Sequence, residues 1–60
     1  MNRYVKFEDA SFGKEVYINT KDIVAIEEGN SNFCIWLTGD KNFEVKKDQV
    51  LKFLKSEHIF

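Results

Sequence analysis

The chain has 60 residues, 43% hydrophobic and 32% charged, with 9 basic against 10 acidic side chains and a net charge of −1. That balance excludes a disordered chain, and its near-neutrality supplies no global field to draw a polyanion or an anionic membrane. A lone cysteine excludes an internal disulfide. A domain this small buries only about 60% of its unfolded surface, so it is expected to lean on a partner chain.

The first alternating run, Arg3 to Glu8, sets Val5 and Phe7 on one side. Asp9-Ala10-Ser11-Phe12-Gly13 reads as a hairpin loop, because turn-forming residues precede a glycine that tolerates positive φ. Lys14 to Asn19 then returns antiparallel, with Val16 and Ile18 alternating. Asn19-Thr20-Lys21-Asp22 carries side chains that bond their own backbone, which predicts a turn before Ile23 to Glu28. In that third run Ile23 and Ile26 are three apart while Val24 and Ile26 are two apart. Either a bulge or a helical turn at its start reconciles them.

Glu28-Gly29-Asn30-Ser31-Asn32 is a polar loop, and Ser31 to Thr38 is the longest strand, alternating Phe33, Ile35 and Leu37. Gly39-Asp40 supplies the positive-φ position of a tight hairpin into Phe43-Glu44-Val45. Beyond Val45 the period changes, with Val50, Leu51, Phe53 and Leu54 on one arc at about 100° per residue and Asp48, Lys52 and Lys55 opposite. This predicts a helix ending near Ser56, with Asp48 capping or complementing its positive end. So short a helix is marginal alone in water and must lie on the sheet.

The expected fold is mainly β with one C-terminal helix (α+β). It is a small, twisted antiparallel sheet of four to five strands with the helix packed on one face, one domain over residues 1–60. No apolar run approaches the ~20 residues of a membrane helix, and the first residues lack the core of a signal peptide. With an unpaired thiol, this points to the cytoplasm and to no membrane partner.

Three segments carry a family resemblance. Asn19-Thr20-Lys21-Asp22-Ile23-Val24-Ala25-Ile26-Glu27-Glu28, then Thr38-Gly39-Asp40-Lys41-Asn42-Phe43-Glu44-Val45-Lys46-Lys47, then Val50 and Leu54, resemble the small FlbD-type family of bacterial proteins. Members are of similar length, with an asparagine-led segment ending in Ile-Glu, a Gly-containing hairpin into a Val-Lys step, and a final short helix. The resemblance implies this same fold and a regulatory role linked to flagellar loci. The first of these segments also resembles the first half of the LytTR DNA-binding domain, which is longer and continues with an Arg/His-rich stretch. Here the sequence instead reads Glu57-His58-Ile59-Phe60.

Few residues offer chemistry. Cys34 could be a reactive thiol or a contact, but the sequence sets no cation or helix N-terminus beside it, so it reads as strand filler. His58 has no second His or Cys beyond Cys34 to complete a ligand set, and Glu27 and Glu28 point to opposite faces as strand neighbours. No glycine-rich phosphate loop is present. The expectation is no enzyme, no metal, no cofactor and no small-molecule substrate.

Two surfaces remain. Lys46, Lys47, Lys52 and Lys55, with Lys41 nearby, could contact nucleic acid, using Tyr17 or Trp36 for stacking, but Asp40, Glu44 and Asp48 interrupt that patch. If Val5, Val16, Ile18, Phe33, Ile35 and Leu37 face the helix, parity sends Tyr4, Tyr17, Cys34 and Trp36 to the other side. Burying the three aromatics would contribute roughly 5–9 kcal/mol, comparable with the ~5–15 kcal/mol net stability of a domain. Another molecule covers them, a strongly curled sheet covers them, or their exposure is incidental. The expected function is a non-enzymatic interaction module, a small bacterial or phage regulatory or accessory protein. It would associate through Tyr4, Tyr17, Cys34 and Trp36 with a protein partner or with itself as a homodimer. Nucleic-acid binding through the lysines is the alternative.

Overall fold

The computed structural model describes residues 3–57. Strand β1 (Tyr4–Glu8) and strand β2 (Glu15–Asn19) form an antiparallel hairpin in which Val5 faces Ile18 and Phe7 faces Val16. Phe7 and Ile18 are buried. The connecting loop is closed by its own polar groups. The Asp9 N–H donates to the Lys14 carbonyl at 2.7 Å, the Gly13 N–H to the Asp9 carbonyl at 2.8 Å, and the Ser11 N–H to Asp9 Oδ1 at 2.8 Å. Gly13 takes φ +67°, which a residue with a Cβ adopts only with strain.

Of the two alternatives for the third run the bulge is realised, and the expected turn before it is helical. A 3-10 turn at Thr20–Asp22, whose Lys21 N–H donates to Asn19 Oδ1, precedes strand β3 (Ile23–Glu28). Against strand β4 (Asn32–Leu37) the register then shifts between Ile23 and Ala25. Val24 is the extra residue and stands 62% exposed, so Ile23 and Ile26 can both pack against the core. Strand β5 (Lys41–Lys46) pairs with β4 after Thr38-Gly39-Asp40, where Gly39 and Asp40 take φ +83° and +59°.

Helix α1 (Lys47–Ser56) starts directly after β5. No side chain caps it; Asp48 lies inside the first turn and complements the positive end as a charge. Val50, Phe53 and Leu54 are buried, whereas Leu51 lies at the rim of the arc and stays partly exposed. The helix closes at Ser56, whose hydroxyl donates to the Phe53 carbonyl at 2.8 Å.

The fold is mainly β with one C-terminal helix, and the five strands among the described residues divide into two antiparallel sheets, β1-β2 and β3-β4-β5. A bridge between Asp9 and Val45, with the Ala10 N–H donating to the Glu44 carbonyl at 2.7 Å, is where the sheets touch. An antiparallel ladder continuing from that bridge would pair Phe7 with Lys47, but Lys47 is already helical. Beta-pairing therefore stops and α1 takes the place beside β1. The Glu8 N–H donates to Gln49 Oε1 at 2.8 Å, and the Phe7 and Phe53 rings meet edge to face, centroids 5.6 Å apart at 78°. Phe7, Ile18, Phe33, Ile35, Val45, Val50, Phe53 and Leu54 form the core between the sheets and the helix. No helix among the described residues is long and apolar enough to cross a membrane.

Candidate interaction surface

The division into two sheets decides where the four expected interface residues stand. Tyr4 and Tyr17 lie on the two-stranded sheet, opposite Asn19 and Lys6 respectively, and so are diagonal neighbours on the face turned away from Phe7 and Ile18. They are 63% and 64% exposed. Both line an open groove of about 260 Å³, with β2 along one side and Leu37, Lys41 and Phe43 on the other. Leu37 and Phe43 were legible in the sequence only as core positions. They pack against the core and also wall this groove.

Cys34 and Trp36 occupy a different place. They alternate on β4 on the face opposite Phe33, Ile35 and Leu37, and both are half-buried. The indole N–H of Trp36 donates to Glu27 Oε1, the diagonal neighbour on β3. Cys34 sits between Glu27 on β3 and Glu44 on β5. Partial burial first, and then these two carboxylates, push its thiol pKa up from the ordinary value, so less of it is the reactive thiolate at neutral pH than in a free cysteine. No strand ladder carries the Tyr4–Tyr17 face into the Cys34–Trp36 face, because β1 and β2 are hydrogen-bonded to neither β3 nor β4.

The lysines are dispersed. Lys46 approaches Glu8 at 3.8 Å and Lys47 approaches Glu28 at 3.3 Å, carboxylates on different sheets. Lys52 lines a second groove of about 510 Å³ between β1 and the helix, floored by Val5, Phe7 and Phe53, and Lys55 lies in the last helical turn. Arg3 stands at the rim of that groove and is ion-paired with Glu57. Nothing in the alternation foretold this groove, which exists because α1 replaces a strand beside β1.

Among the described residues no group of three or more His, Cys, Asp or Glu side chains could hold a metal ion. His58 lies outside the described residues. A scan of family models, a search of curated proteins and a search of solved structures each find no match to this chain.

Proposed function

We propose that this protein is a non-enzymatic interaction module whose contact surface centres on Tyr4 and Tyr17 and the groove beside them. The observation carrying this reading is the pair of large aromatic side chains, each nearly two-thirds exposed and diagonal on one sheet face. Aromatic rings left in water forfeit burial energy that a small domain can ill spare, and tyrosine is a favoured anchor of protein interfaces. The walls formed by Leu37 and Phe43 give an incoming apolar side chain a place to lodge. Trp36 has a hydrogen-bond partner and partial cover in the chain itself, so it contributes less. The lysine surface has weaker support, since Lys46 and Lys47 are already matched by Glu8 and Glu28. A regulatory or accessory role in the cytoplasm of a bacterium or phage host fits the resemblance to the FlbD-type family and the unpaired Cys34.

Light scattering across a concentration series tests the reading, together with retention of host proteins on immobilised protein, for wild type and Tyr4→Ser/Tyr17→Ser. Association with itself or with a retained protein should be present in wild type and lost in the double variant, with thermal stability unchanged at concentrations where wild type is monomeric. Equal association of the two proteins, or none by either, would refute it.

A further inference from the structure

We infer that the partner on this surface is a second copy of the chain, joined through the outer edge of β2 in an antiparallel ladder, β1-β2 of one protomer continuing into β2-β1 of the other. This rests on the proposed interaction surface and specifies its occupant. The two sheets have outer edges at β1, β2, β3 and β5. An unpaired edge is a template for another strand, and folded proteins usually blunt it.

Three of these edges are blunted. At β1 the Glu8 N–H is taken by Gln49 of the helix. At β5 the Glu44 carbonyl is taken by Ala10, beside the Asp9–Val45 bridge. On β3 the bulge at Val24 breaks the repeat, and Glu27 and Glu28 follow it. Strand β2, Glu-Val-Tyr-Ile-Asn, has neither bulge nor proline nor glycine, and is rich in residues that favour strands.

The hydrogen-bond phase of the hairpin shows which groups are left over. The Thr20 N–H donates to the Arg3 carbonyl and the Asp9 N–H to the Lys14 carbonyl, so both end pairs are bonded ones. Bonded and non-bonded pairs alternate in an antiparallel ladder, which makes Val5/Ile18 and Phe7/Val16 the bonded pairs between them. The N–H and C=O groups of Glu15, Tyr17 and Asn19 therefore point away from β1, along the edge that borders the groove.

This edge is complementary to itself. With a two-fold axis at Tyr17, Tyr17 faces the partner's Tyr17 and Glu15 faces the partner's Asn19, each as a bonded pair, giving about six hydrogen bonds. Half-buried Val16 meets the partner's Ile18. No like charges face each other: Lys14 would stand opposite the partner's Thr20. Centring the ladder on Tyr17 places the exposed ring of one protomer beside that of the other, the cross-strand aromatic pairing that stabilises sheets.

Sedimentation equilibrium and amide hydrogen exchange at low and high concentration, on the full chain, test the ladder. Tyr17→Pro deletes an outward donor while leaving the Val16 and Ile18 bonds to β1, and Tyr17→Thr removes the ring while keeping the backbone donor. In wild type the amides of Glu15, Tyr17 and Asn19 should gain protection as the dimer forms, with those of Val16 and Ile18 protected throughout. Tyr17→Pro should lose the dimer, whereas Tyr17→Thr, with Tyr4 still in place, should weaken it and keep the same exchange footprint. A dimer that survives Tyr17→Pro, or forms without protecting Glu15, Tyr17 and Asn19, overturns the ladder. If that dimer is still lost in Tyr4→Ser/Tyr17→Ser, the aromatic interaction surface stands without it. A wild type monomeric at every concentration also overturns the ladder, and the interaction surface is then decided by retention of a different protein. Should Tyr17→Pro fail to fold, the exchange footprint of the wild type alone decides the question.

Discussion

Replacing Phe7 and Phe53 singly and together by leucine tests whether the helix and the two-stranded sheet stand as one cooperative unit. Phe7 is 1% exposed, and its ring meets that of Phe53 edge to face at 5.6 Å, so this pair couples β1 to α1 where strand pairing has stopped. At ~0.05–0.15 kcal/mol per residue, a 60-residue domain has a net stability of only about 3–9 kcal/mol. Phe7→Ala, costing ~3–5 kcal/mol, would leave much of the population unfolded. Leucine retains most of the apolar volume and keeps both variants measurable. Beyond lost burial, an edge-to-face pair is worth ~0.5–1.5 kcal/mol, which is the coupling the double-mutant cycle should return. Urea unfolding followed by far-ultraviolet circular dichroism reads it, and each kcal/mol corresponds to a shift of ~4–8 °C in Tm for a domain of this size. Additivity within ~0.3 kcal/mol would refute a special contact between the rings and reduce the link to generic burial.

Gly39→Ala should destabilise by ~1–2 kcal/mol in the same assay, because φ is +83° and the added Cβ would meet nothing, so backbone strain is the whole effect. Gly29→Ala acts differently: its Cβ would lie 2.9 Å from the Asn32 carbonyl oxygen that accepts the Gly29 N–H, so the loop must shift, at ~1–3 kcal/mol with loss of Gly29 amide protection in exchange measurements. At concentrations low enough for wild type to be monomeric, Tyr4→Ser/Tyr17→Ser should change the unfolding free energy by no more than ~0.5 kcal/mol, while abolishing association at higher ones, separating surface from core. Cys34 titrates higher in the folded chain than in the unfolded one, so above the ordinary thiol range the unfolded state holds fewer protons and stability falls as pH rises. The stability of wild type relative to Cys34→Ser should therefore be constant below pH ~8 and decline above it. The Cys34 thiol should also react with a disulfide reagent more slowly than a cysteine in an unfolded peptide, and faster after Glu44→Gln.

The elements were legible because their signals are local. The alternation of Phe33, Ile35 and Leu37 gives β4, the change of period after Val45 gives α1, and Gly39-Asp40 gives the hairpin between the last two strands. At Ile23–Glu28 the apolar spacing identified a conflict without its solution, since a bulge and a preceding turn produce the same displaced isoleucine. The junction between the sheets was not legible. It depends on the abrupt passage from strand to helix between Lys46 and Lys47, which leaves β1 to meet a helix side chain where a strand backbone would otherwise lie.

That single junction also determines the candidate site. Were β1 to continue pairing with β5, the five strands would form one sheet and parity would place Tyr4, Tyr17, Cys34 and Trp36 together on its outer side. Because pairing ends at Asp9 and Val45, the β1-β2 hairpin forms no further ladder with the other strands and meets them through side chains alone. Tyr4 and Tyr17 consequently border Leu37 and Phe43 in a groove, while Trp36 settles against Glu27 on a separate face. The helix that ends the ladder covers the edge of β1 through Gln49, whereas β2, terminal in either arrangement, keeps an outer edge whose backbone groups have no hydrogen-bond partner among the described residues. An aromatic pair at an unguarded strand edge is a surface built from backbone and side chain together, and parity alone reveals only its side chains.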